Sequence, residues 1–212
     1  MSRQLPNQLT VARIVLAIVF FVLLGLYEQG ASWGRWLLNA AFVLYIVAGI
    51  TDILDGWIAR KYDSTSTFGR LVDPVVDKVL VVGTFVMLAG SNFAGSTSDF
   101  ERSLPAWLTG HMSSCVQAWM VVCILTREFV VSAVRAFSEA KGKKFPATYA
   151  GKIKMFIQSV AICVVLYQLA NVRTPPWAVI LKIAMVWLAV AATVLSGVAY
   201  LSKARRLLTG DE

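Results

Sequence analysis

The chain has 212 residues, of which 58% are hydrophobic and only 15% charged, with a formal net charge of +8. A water-soluble domain carries about 25% charged residues, so this composition, with a mean hydropathy of +0.67, argues against a soluble fold and for a membrane. Cys115, Cys123 and Cys163 are odd in number and lack CxxC spacing, which sets aside a disulfide framework and a zinc site.

Six apolar stretches recur, at about 9–29, 36–58, 71–93, 112–136, 153–171 and 176–201, each near the roughly 20 residues that cross a bilayer as a helix. They predict an all-α integral membrane protein, a bundle of six transmembrane helices forming a single domain over 1–212. Residues 1–10 are polar and read as a short surface segment entering the first span. Asn7, Thr10 and Arg13 recur every three residues and line up on a helix that starts near Pro6. They suit a contact with lipid or pyrophosphate; a helix cap and a snorkelling arginine explain them equally. The run Tyr27-Glu28-Gln29-Gly30-Ala31-Ser32 is a poor signal-peptidase site, so the first span is expected to stay uncleaved.

Gly30 to Gly34 predicts a short turn, and the second span runs into Asp52-Ile53-Leu54-Asp55-Gly56-Trp57-Ile58-Ala59-Arg60. A polar link follows, then Gly69-Arg70-Leu71-Val72-Asp73-Pro74-Val75-Val76-Asp77 opens the third span. Proline is tolerated in a first helical turn, so Pro74 predicts a helix start near 70–73. Residues 92–111 form the longest non-apolar stretch and hold the single histidine, His111, away from the aspartates. The fourth span carries Arg127, Glu128 and Arg135, three charges that a helix buried all round would not hold.

Placing the N-terminus in the cytoplasm puts sixteen of the twenty Lys and Arg residues on that side and leaves Arg35, Arg102, Arg173 and Lys182 opposite. Cytoplasmic loops of membrane proteins carry this excess, so the four aspartates are expected to face the cytoplasm. Anionic lipid head groups account for the basic surface without nucleic acid. The short chain with no transit-like leader suggests a bacterial plasma membrane.

Four carboxylates within 26 residues of such a chain carry the chemistry. Asp52 and Asp55 are three apart and Asp73 and Asp77 four apart, so each pair shares a helix face. Hard divalent cations take oxygen ligands and keep positions open for phosphate oxygens. A metal pair stabilises both oxygens of an in-line phosphoryl displacement. Arg127, Arg135, Lys152 and Lys154 suit a second phosphate, with positive-inside anchoring as their plain alternative. Gly56 and Gly69 admit a ligand close to the backbone. Intramembrane aspartates also serve ion-coupled transporters.

Asp52-x-x-Asp55-Gly56-x-x-Ala59-Arg60, eight residues, then Gly69-x-x-x-Asp73-x-x-x-Asp77 resembles the signature of the CDP-alcohol phosphatidyltransferases at every defined position. Leu5-Pro6-Asn7-x-Leu9-Thr10-x-x-Arg13, Arg127-Glu128-Phe129-Val130-Val131-Ser132 with Arg135, and Gly151-Lys152-x-Lys154 are similar to a branch whose acceptor is sn-glycerol 3-phosphate. Met155 stands where branch members commonly carry Thr. The resemblance implies transfer of a phosphatidyl group from CDP-diacylglycerol to an alcohol with release of CMP. It implies six membrane helices, a homodimer, and a site open to the cytoplasm that uses Mg²⁺ or Mn²⁺, two ions per site. Asp52, Asp55, Asp73 and Asp77 would ligate metal, with Asp77 also the base. Gly56, Ala59, Arg60 and Gly69 would line the nucleotide site. Arg127, Arg135 and Lys152, with Lys154 and Arg70 behind them, would hold the acceptor phosphate. Inositol phosphate, serine and phosphatidylglycerol are the alternative acceptors within the family.

Overall fold

A computed structural model describes residues 5–62, 67–140 and 149–209, with side chains described for 11–52, 78–138, 140, 149–202 and 204. Six long helices dominate: α1 (Leu5–Gly25), α2 (Gly34–Tyr62), α3 (Thr67–Leu88), α6 (Ala118–Ala140), α7 (Tyr149–Asn171) and α8 (Pro176–Thr209). Two short helices, α4 (Asp99–Ser103) and α5 (Ala106–Thr109), and a 3₁₀ turn at Ser91–Phe93 lie between α3 and α6. In an apolar medium the backbone must satisfy its own polar groups, and a helix does so within one segment. By length and composition, the segments Gly34–Asp52, Tyr149–Asn171 and Pro176–Ser202 can each cross a membrane.

Several boundaries differ from those expected. The first helix already begins at Leu5, so the polar residues from Leu5 to Thr10 belong to α1 rather than to a separate surface segment. Pro6 fits there because the first helical turn has no use for its missing N–H. The third helix begins at Thr67, which puts Pro74 in the helix interior, where one backbone bond is lost, rather than in the first turn. The fourth long helix starts at Ala118, because residues 112–117 belong to the segment that precedes it.

The helices run antiparallel in sequence, and α1 packs against both α2 and α3, as α7 does. This puts 26–33, 89–117 and 172–175 at one end of the bundle, the loop end. The other, the carboxylate end, holds the C-terminal part of α2 and the start of α3. Leu24, Leu38, Phe85, Leu88, Ile162 and Leu166 fill the core between them. A Cβ on Gly83 would come 2.6 Å from the Phe21 ring, so the absence of a side chain there lets α1 and α3 approach.

Polar side chains close the loop end. The Asn92 amide donates to the Gly25 carbonyl at 2.9 Å, meeting one of the carbonyls orphaned where α1 stops. Tyr27 is buried beneath it and stacks on Phe93 with 4.8 Å between centroids. Asn171 at the end of α7 accepts from Arg35 at 3.2 Å and donates to Asn39 at 2.8 Å, latching α7 to the start of α2. Trp33, Trp36 and Trp177 are exposed near the starts of α2 and α8, the place such rings take at a bilayer surface.

Residues 91–117 pack into this end of the bundle. They carry Glu101, fully buried, to Lys182 on α8, with 3.1 Å between Oε1 and Nζ. Thr97 donates to Glu101 Oε2 through its backbone N–H at 2.6 Å and its hydroxyl at 2.8 Å. Lys182 also donates to the Ser113 carbonyl at 2.6 Å, and the Cys115 thiol reaches Glu101 Oε1 at 3.4 Å. His111 lies exposed on this segment, at the end opposite the aspartates.

An ion left unpaired in such a place is costly. Glu101→Gln or Lys182→Met alone should lower stability by about 3–5 kcal/mol, and the double substitution by less than the two effects combined. Denaturant unfolding in detergent micelles reads this out; single variants that unfold like the parent would contradict it.

Candidate active site

The site begins where α2 ends and α3 starts. Asp52 and Asp55 share a face of α2, and Asp73 and Asp77 share a face of α3, since the backbone is helical through all four. Because α1 and α7 each touch both helices, the two pairs occupy the same end of the bundle. The side chains of Asp55, Gly56, Ala59, Arg60, Gly69, Arg70, Asp73 and Asp77 lie outside the described residues, as do those of Asn7 and Thr10. Among the described residues no three acidic, histidine or cysteine side chains gather as a metal site.

Asp52 is described, and it has a partner that sequence reading did not supply. Arg13 on α1 is almost fully buried and places Nη1 2.8 Å from Asp52 Oδ1. The arginine is thus no snorkelling surface cation. It reaches across from the neighbouring helix and fixes the first of the four carboxylates. Asp52 itself remains about one-third open, at 36% side-chain exposure, which leaves the carboxylate accessible to a cation from the solvent side.

A second cluster sits where α3, α6 and α7 meet. Glu128 Oε1 accepts from Arg127 Nη1 at 2.9 Å and from Lys154 Nζ at 2.5 Å. Lys154 is buried, whereas Lys152, two residues earlier, is exposed. Two residues rotate a helix by about 200°, so the two lysines leave α7 on different sides, and Lys154 is the one that meets Arg127. Arg135 lies two turns beyond Arg127 on α6 and is half-buried. Lys78, the residue after Asp77, donates to Ser132 on α6 at 2.6 Å. That bond ties the cluster to the helix that carries Asp73 and Asp77.

Arg127 owes its place to a glycine on the facing helix. A Cβ on Gly197 would sit 3.2 Å from Arg127 Cγ, so the bare backbone of α8 makes room for the arginine stem. Beside it a cleft of about 300 Å³ opens between α6 and α8, lined by Val122, Val130, Val131, Val194, Val198 and Leu201. Sequence reasoning noticed Glu128 as a charge out of place but gave it no task. The signal was present: a carboxylate inside an apolar helix needs a cation, and Arg127 stands next to it.

This arrangement can hold anions and cations at once. Carboxylates on α2 and α3 suit hard cations, and fixed ammonium and guanidinium groups on α6 and α7 suit a phosphate. Residues 3–195 match the sequence model of the CDP-alcohol phosphatidyltransferase family. The chain is 31% identical over 94% of both chains to a Bacillus subtilis protein named CDP-diacylglycerol–glycerol-3-phosphate 3-phosphatidyltransferase. Proteins of the same name from Rickettsia felis and Shigella flexneri are 29% and 30% identical, over 97% of each chain.

The Arg13–Asp52 pair makes its own prediction. Arg13→Met should destabilise the protein by about 1–3 kcal/mol, since it leaves a partly buried carboxylate without its cation. Adding Asp52→Asn should recover part of that loss. A double-mutant cycle read by chemical unfolding checks it, and strictly additive effects would rule out the coupling.

Proposed function

Because the chain belongs to the CDP-alcohol phosphatidyltransferase family, we propose that it transfers the phosphatidyl group of CDP-diacylglycerol to sn-glycerol 3-phosphate, giving phosphatidylglycerophosphate and CMP. The observation that carries the acceptor is the buried Arg127–Glu128–Lys154 cluster, tied through Ser132 to the lysine that follows Asp77. An acceptor that brings its own phosphate has a ready partner there. The near full-length similarity to proteins bearing this activity in their names supports the same choice.

In this reading Asp77 takes the proton from the acceptor hydroxyl as its oxygen attacks the lipid-side phosphorus. The bond from that phosphorus to the oxygen bridging to CMP breaks, and CMP departs with the bonding pair. Asp52, Asp55, Asp73 and Asp77 offer only oxygen donors, the set that Mg²⁺ or Mn²⁺ takes. Two such ions, when bound, neutralise charge on the pyrophosphate. Arg13 keeps Asp52 in place for that task. Gly56, Ala59, Arg60 and Gly69 would line the cytidine nucleotide, and Asn7 and Thr10 would contact lipid or pyrophosphate.

Arg127 and Lys154 grip the acceptor phosphate, Arg135 and Arg70 are the further cations available to it, and Lys152 on the exposed side of α7 takes no direct part. The site opens to the cytoplasm, at the membrane face where most of the basic residues gather. Two copies of the chain pair as a homodimer in a bacterial plasma membrane.

Purified protein given CDP-diacylglycerol and each acceptor in turn tests the reaction. CMP release is expected with glycerol 3-phosphate; release only with serine, inositol phosphate or phosphatidylglycerol would refute the acceptor. Asp77→Asn should lower turnover by about 10²–10⁴ while the protein still folds, and substantial residual turnover would refute the base.

The two lysines should also part company. Lys154→Met is expected to raise the KM for glycerol 3-phosphate by about tenfold or more, the loss of a charged hydrogen bond. Lys152→Met, on the exposed side of α7, should change it far less, and equal effects would contradict the geometry.

A further inference from the structure

One turn of α6 gathers cations from three helices. The Glu128 carboxylate takes Arg127 from its own helix and Lys154 from α7. The Glu128 carbonyl accepts from the Ser132 hydroxyl at 2.7 Å, and Ser132 Oγ accepts from Lys78 of α3 at 2.6 Å. Cations this close repel one another. Among the described residues Glu128 is the carboxylate that meets Arg127 and Lys154, and Lys78 is tied in through Ser132.

Charge then selects a ligand. Among the described residues, three cations and one carboxylate sum to a net charge of +2. A phosphate monoester carries about −1.5 to −2 at pH 7; a phosphodiester carries about half of that and a zwitterionic acceptor none. The donors are not exhausted by Glu128, because a guanidinium has five N–H groups and an ammonium three. Arg127 Nε is buried with no hydrogen-bond partner among the described residues.

We propose that Glu128 is the positioning residue of the acceptor site, its carboxylate holding Arg127 and Lys154 beside the Lys78 that Ser132 holds, as a socket for a phosphate monoester dianion. The proposal rests on the acceptor reading above and extends it: Glu128 touches no substrate and acts through the cations it spaces. Ser132 does the same for Lys78. Removing the carboxylate leaves the cations in number but frees them to move apart.

The test uses the full-length protein in mixed micelles with CDP-diacylglycerol, following CMP release. Glu128→Gln should raise the KM for glycerol 3-phosphate about tenfold or more while the KM for CDP-diacylglycerol stays within about twofold. Ser132→Ala frees only Lys78 and should raise the acceptor KM by roughly threefold with the lipid KM unchanged; it keeps the proposal testable if Glu128→Gln does not fold. A proportionate rise for both substrates, or an unchanged acceptor KM in Ser132→Ala together with any folded Glu128→Gln, would overturn it. Wild-type protein that releases CMP with serine or phosphatidylglycerol but not with glycerol 3-phosphate would instead overturn the acceptor reading itself.

Discussion

An ion inside an apolar bundle must find its opposite, and the helices of this protein are held where that requirement is met. Arg13 joins α1 to α2 through Asp52. Glu128 joins α6 to α7 through Lys154. Glu101 brings the 91–117 segment onto α8 through Lys182. Apolar side chains fill the space between these points, but apolar packing in a lipid-like medium is weakly selective, since lipid tails are as apolar as leucine. The ion pairs supply register: each fixes one level on one helix against one level on another.

The two ends of the bundle use that device differently. At the loop end the pair is one to one and fully buried, with Thr97, Ser113 and Cys115 adding their bonds. At the carboxylate end the pairs are incomplete by design of their surroundings. Asp52 stays partly open, and Arg127 and Lys154 share one carboxylate, Glu128, with Lys78 close by on Ser132. The same chemistry that closes one end leaves the other with unspent charge of both signs, which is what a diphosphate-linked lipid and a phosphate-bearing alcohol both require.

Much of this was legible in the chain itself. The four aspartates announce themselves through spacing, and the long helices through apolar length. Partnership was the harder part. Arg13 sits 39 residues from Asp52, and no periodicity within α1 or α2 indicates that they meet. Lys152 and Lys154 look interchangeable in a basic run; only the rotation of α7 against α6 tells them apart. Residues 92–111 read as a non-apolar stretch, in which Glu101 is one carboxylate among serines and glycines. Its burial depends on Lys182, 81 residues away. Pro74 misled for a local reason: proline favours a first turn, but α3 begins seven residues earlier, at Thr67.

The cleft between α6 and α8 changes what counts as the boundary of the molecule. Its walls are mostly valine and leucine, with Cys123, Thr126 and Arg127 among them, and Val122 and Val198 of that lining are exposed. Water entering it would gain almost no hydrogen bonds, and an empty slot would forfeit dispersion contacts along both walls. Hydrocarbon is the medium that suits it, whether from a lipid tail or a detergent. The surrounding solvent therefore acts as a packing component for these two helices. The firmness with which α8 backs Arg127 becomes a property of the bilayer as much as of the chain.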